Sequence, residues 1–104
     1  MSNQELLRQI KERLKAVHGD RLKGVVLYGS QARGEERPDS DIDVLVLLDG
    51  PVRFGRDLEA NLSVLYPLSL ELGRRISAKP VSADAYRTVD CPLYRNAKAE
   101  GILA

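Results

Sequence analysis

The segment Ile42–Leu48 reads I-D-V-L-V-L-L and constrains the fold more than any other stretch of the chain. Such a run is too short for a typical helix and too continuous for a strand with one wet face. It predicts a central β-strand covered on both sides. Asp49-Gly50-Pro51 ends it as a turn. The rest of the chain must therefore supply neighbouring strands and the layers that cover them.

Those layers are legible. Asn3 to His18 is an amphipathic helix with Leu6, Leu7, Ile10, Leu14 and Val17 on one stripe. Ser2 or Asn3 can cap its start and Gly19 fits its end. Gly24 to Tyr28 is a short apolar strand, broken by Gly29 and Ser30. A second helix runs from about Arg53 or Gly55 to Leu72, with Leu58, Leu62, Leu65 and Leu72 on its apolar side. Pro67 inside it should kink or break it. Arg75 to Val81 reads as a third strand, with Pro80 toward an edge or bulge. Ser82 caps a short helical turn through Tyr86, and Asp90 caps a last helix that starts near Pro92. The order predicts an α+β fold: a small mixed or antiparallel sheet of at least three strands, packed with helices.

Composition limits what such a fold can do. The 104 residues predict a single domain over 1–104. Sixteen Lys and Arg against fifteen Asp and Glu leave a charge of +1, which argues against a surface built for polynucleotide binding. A single cysteine excludes an internal disulfide. No apolar run approaches the roughly 20 residues that span a bilayer, and no signal-peptide pattern opens the chain, so the expected location is cytoplasmic. Leu65, Leu68, Leu70 and Leu72 exceed one narrow stripe. Some of them could form a subunit interface or a homo-oligomer, although a small core could absorb them all.

The chemistry concentrates between Tyr28 and Val46. Gly29 permits a sharp turn and close approach of a ligand. Ser30 is a good N-cap for a short helix through Arg33, and a helix start with a free hydroxyl suits phosphate. Arg33 adds positive charge nearby, unless it pairs with Glu35 or Glu36. Asp41 and Asp43 stand two apart at the start of a strand and so share a face. Two adjacent carboxylates suit a divalent cation with oxygen ligands, Mg²⁺ above all. If the flanking strands are antiparallel, the Gly-Ser turn and the aspartate pair meet at one edge of the sheet.

Gly29-Ser30, Arg33-Gly34 and Asp41-Ile42-Asp43, with Ser30 and Asp41 eleven residues apart, resemble the G-S-x-A-R-G … S-D-I-D signature of the minimal nucleotidyltransferases. These belong to the polymerase-beta-like nucleotidyltransferase superfamily, and the order of elements is similar over most of the chain. The resemblance implies that Gly29 and Ser30, with Arg33, hold a nucleoside triphosphate such as ATP. It implies that Asp41 and Asp43 are catalytic and ligate Mg²⁺. It also implies a partner, a HEPN-like helical toxin, to which some members transfer AMP as the antitoxin.

One departure stands out. The family's third carboxylate usually lies on the strand after the second helix, yet Arg75–Val81 contains no acid. The position expected to be acidic is Ser77 or a neighbour. Either Glu71 or a partner residue completes the site, or Lys79 or Arg75 faces the aspartates and neutralises them without metal. The second case predicts an antitoxin that works by contact alone.

Overall fold

The computed structural model describes residues 1–104. Strand β2 (Ile42–Leu48) is central as expected. Ile42, Val44, Leu45, Val46 and Leu48 are fully buried, on both faces of the sheet. Strand β1 (Leu22–Tyr28) pairs with it antiparallel, from Leu22 opposite Leu48 to Tyr28 opposite Asp43, with one irregularity between Leu22 and Gly24. Strand β3 (Ile76–Ser82) pairs parallel on its other side, Ile42 beside Ile76 and Asp43 beside Ser77. A two-residue strand β4 (Ile102–Leu103) adds antiparallel to β1, giving the order β3-β2-β1-β4. Sequence patterning misses β4, because two residues are too few to alternate.

Helices α1 (Asn3–His18) and α3 (Phe54–Leu72) cover one face. Their side chains meet Val25, Leu27, Val44, Val46 and Ala78 in the main core. The other face is covered only in part, by α4 (Ala83–Thr88) and α5 (Pro92–Glu100), which close over Val26, Leu45, Leu47 and Val81. Tyr86 and Tyr94 pack edge to face here, with ring centroids 5.5 Å apart, and Lys98 Nζ lies over the Tyr86 ring. Between β1 and β2 a short helix α2 (Gly29–Arg33) follows directly on the Gly29 turn.

The helices depart from the expected stripes in instructive ways. Ser2 caps α1, its hydroxyl accepting from Glu5 N. Val17 is exposed and His18 takes its inner place. On α3 the inward positions are Asp57, Asn61, Leu65 and Leu68, whereas Leu62, Tyr66 and Leu70 face outward. Leucine spacing misleads because two buried polar residues hold core positions. Both are satisfied. Asn61 Nδ2 donates to the Ala78 carbonyl at 2.9 Å, which turns its Oδ1 toward His18 Nε2 at 2.6 Å. Since Oδ1 can only accept, Nε2 carries the proton.

Asp57 accepts from Arg21 Nη1 and Nη2 at 3.1 and 3.2 Å and from Arg53 N at 3.0 Å. Arg21 also donates to the Pro51 carbonyl at 3.0 Å. The Arg21 guanidinium holds the Asp57 carboxyl below its ordinary value, outweighing burial, with further help from Arg53 N and His18.

Pro67 does not break α3, which runs unbroken to Leu72. Pro67 is exposed, so the carbonyl four residues earlier loses its partner on the wet side, where water replaces it. Ser82 does cap α4, accepting from Ala85 N, and α4 runs on to Thr88. The α5 cap is Cys91 rather than Asp90, and Asp90 pairs instead with Arg95.

Candidate active site

Antiparallel pairing of β1 and β2 brings the end of one strand beside the start of the other. Tyr28 stands opposite Asp43, and the Gly29 turn follows at once. Gly29 has φ +75°, a conformation that favours glycine. Its missing side chain matters for space as well. A Cβ at this position would lie 2.8 Å from Asp43 Oδ2. The backbone of the turn and the Asp43 carboxylate are thus in close apposition, as the pairing argument from sequence anticipates.

Ser30 lies inside the first turn of α2, and Tyr28 rather than Ser30 is the cap residue. The expected capping role therefore fails, because the helix begins two residues earlier, at Gly29. Arg33 pairs with Glu35 at 3.1 Å and reaches Glu100 at 3.2 Å. It also lines a cleft of about 290 Å³ with Tyr28, Gly29, Leu93, Asn96 and Glu100. Of the two expectations for Arg33, the Glu35 ion pair is present, and the same side chain borders the cleft beside the turn. Gln31 is buried against Asn3, with Nε2 to Asn3 Oδ1 at 2.8 Å.

Asp41 is exposed and Asp43 half-buried. Burial pushes the Asp43 carboxyl above its ordinary value, and the Asp41 charge pushes it further the same way. Tyr28 is raised likewise, by burial and then by Asp43. No Lys or Arg lies within 4 Å of either aspartate in an ion pair. The expected neutralisation by Lys79 or Arg75 is therefore absent. Arg75 instead borders a groove with Leu62, Tyr66 and Ile76 against α3, and Lys79 points to solvent beside Leu45.

Parallel pairing puts Ser77 next to Asp43 on the same face, the position expected to be acidic. No third carboxylate, histidine or cysteine gathers with the pair. Glu71 cannot complete it, because α3 packs on the opposite face of the sheet. Asp84 is engaged with Arg87. What remains is a pair of uncompensated hard oxygen donors next to an open glycine turn. That donor set fits a divalent cation such as Mg²⁺, which commonly takes one or two carboxylates and fills its other positions with water and phosphate.

A glycine turn held against paired carboxylates, on a mixed sheet backed by two helices, marks a class of domain that handles nucleoside phosphates. Residues 7–96 match the family of the nucleotidyltransferase domain. The chain belongs to that family. Among its relatives is a Methanocaldococcus jannaschii protein, provisionally named a protein adenylyltransferase. It is 28% identical over 102 residues, which cover 97% of this chain and 96% of the relative. A solved structure provisionally described as a minimal nucleotidyltransferase is 30% identical, covers 98% of this chain and 95% of its own, and superposes with a TM-score of 0.56. A toxin–antitoxin structure with AMP-PNP shares the fold, with a TM-score of 0.63 at 19% identity over 91% of this chain and 69% of its own.

Proposed function

We propose that this chain transfers a nucleoside monophosphate, AMP from ATP, to a hydroxyl of a partner protein, and that it acts as the antitoxin of a HEPN-like helical toxin. The observation that carries the reading is the close approach of the Asp43 carboxylate to the Gly29 turn, where a Cβ would lie 2.8 Å from Asp43 Oδ2. It sets an open glycine turn beside a pair of hard oxygen donors. Gly29 and Ser30 hold the triphosphate at the turn, and Arg33 borders it. Asp41 and Asp43 would hold Mg²⁺, which would neutralise phosphate charge and favour ionisation of the attacking hydroxyl. The acceptor oxygen forms a bond to the α-phosphorus as the bond toward the β-phosphate breaks. Pyrophosphate leaves, and the hydroxyl proton passes to water, since Ser77 offers no carboxylate to take it. The name of the archaeal relative supports a protein acceptor, and the toxin–antitoxin neighbours support a protein partner.

A second reading is favoured by one observation. Ser77 stands where a third carboxylate is expected, and a site lacking that ligand would serve an antitoxin that neutralises its partner by contact. Incubation with labelled ATP, Mg²⁺ and the product of the neighbouring gene separates the two. Label on the partner that disappears with Asp43→Ala is the expected result. A stable complex that never acquires label overturns transfer and leaves contact.

A further inference from the structure

Asp41 is exposed and makes no ion pair, yet both of its neighbours are fixed to the same segment. On one side Ile42 N donates to the Arg75 carbonyl at 2.8 Å. On the other, Arg74 Nε donates to the Ser40 carbonyl at 2.9 Å and its Nη2 to Ser40 Oγ at 3.2 Å. Ser40 in turn closes the loop behind it. Its hydroxyl accepts from Arg37 N and donates to the Arg37 carbonyl, at 3.0 and 2.9 Å.

Arg74 is itself anchored at the end of α3. Its N–H donates to the Ser69 carbonyl at 3.2 Å, and its own carbonyl accepts from Ser69 Oγ. Gly73, at φ +64°, turns the chain so that Arg74 leaves the helix toward Ser40. The guanidinium thus bridges a helix end to a polar loop of exposed residues. Arg74 makes no ion pair with Asp41, so it acts through the backbone and not by charge.

We infer that Arg74 is a positioning residue that sets Asp41 for cation binding by locking Ser40. This rests on the reading of Asp41 and Asp43 as a metal pair. A carboxylate on a free loop must be ordered each time a cation binds, whereas a clamped one is already in place. Arginine suits the task because its planar fork meets two acceptors at once, which a lysine cannot do with the same geometry.

The test is Mn²⁺ binding, followed by electron paramagnetic resonance, in wild type, Arg74→Ala, Arg74→Lys and Asp41→Ala. Amide hydrogen exchange is measured on the same proteins. Loss of a direct hydrogen-bond partner of a metal ligand commonly weakens the metal about tenfold or more; Arg74 acts one step further out, through Ser40, so Arg74→Ala should bind Mn²⁺ several-fold, and at most about tenfold, more weakly. Arg74→Lys should recover part of that loss. Exchange should quicken at Ser40 to Ile42 and stay unchanged in α1 and β1. Equal Mn²⁺ affinity in wild type and Arg74→Ala overturns the role of Arg74 and leaves the metal pair standing. Loss of protection across α1 and β1 as well would make Arg74 a general structural residue and also overturns it. Wild type that binds no Mn²⁺ overturns the metal pair, and the positioning role with it.

Discussion

Replacing Asp57 with alanine removes the acceptor of the Arg21 fork and of Arg53 N, at the end of the sheet far from the aspartate pair. Asp57 is only 4% exposed, so its hydrogen bonds form away from most competing water. Hydrogen bonds to charged groups contribute about 1.5–3 kcal/mol each. The two from Arg21 belong to a single ion pair and do not add in full. The Arg21 side chain is 41% exposed, which screens the pair further. Against that, Arg53 N loses its partner at the start of α3. A net loss of about 2–3 kcal/mol follows. For a domain of this size that is about 10–20 °C in Tm, at 4–8 °C per kcal/mol.

The pH dependence separates this account from simple loss of packing. Asp57 is depressed in the folded state. Its contribution is therefore complete above the ordinary aspartate value and is lost as pH falls through the folded value. Urea denaturation of wild type and Asp57→Ala should differ by the full amount at pH 7. The gap should close progressively in acid. Asp57→Asn, which keeps the shape but lacks the charge, should lie between them at pH 7, and its gap to Asp57→Ala should not change with pH. A gap below about 0.5 kcal/mol at pH 7, the range of an ordinary surface substitution, would refute the reasoning. So would a gap of constant size from pH 7 down to strong acid.

Two further substitutions address the site. Asp43→Asn removes one of two like charges that lack a counter-ion, so Tm measured in EDTA should rise by a few degrees. Mg²⁺ should then stabilise wild type but not the variant, and equal Mg²⁺ stabilisation of both would count against the pair as a cation site. Gly29→Ala places a methyl against Asp43 Oδ2 and asks alanine to adopt φ +75°. The backbone cost alone is about 1–2 kcal/mol, and nucleotide transfer in the labelled-ATP assay should fall at least tenfold. Retained activity would show that the turn does not need its close approach.

What was legible in the sequence was what repeats or concentrates. The run Ile42–Leu48 announces a covered strand because burial on both faces leaves no polar position after Asp43. That the Gly-Ser turn and the aspartate pair meet at one edge is legible because antiparallel pairing is the short way to join two such strands. The family resemblance singled out Ser77 or a neighbour as the position expected to be acidic, and the parallel register sets Ser77 beside Asp43. The polar interior was hidden. Asp57, Asn61 and His18 read as surface residues by type, and only tertiary partners make them core. Arg74 was likewise invisible, since its Ser40 partner lies 34 residues away. Nothing in local composition distinguishes it from Arg75, which goes to a different groove.

The two ends of the sheet divide the work between them. The end where β1 starts and β2 finishes is closed by the Arg21–Asp57 pair, and the His18–Asn61–Ala78 chain ties α1 and α3 to β3. The opposite end holds Asp41 and Asp43 together without a Lys or Arg ion pair, next to a glycine in a left-handed turn. Like charges lower stability wherever they sit, and a domain this small has little margin. Strong polar contacts elsewhere in the fold offset the cost of keeping two carboxylates side by side at this end. On that argument the polar core of α3 serves the site without touching it. Substitutions at Asp57 or Asn61 should therefore lower activity at high temperature through unfolding, while the Mn²⁺ affinity of the protein that remains folded stays unchanged.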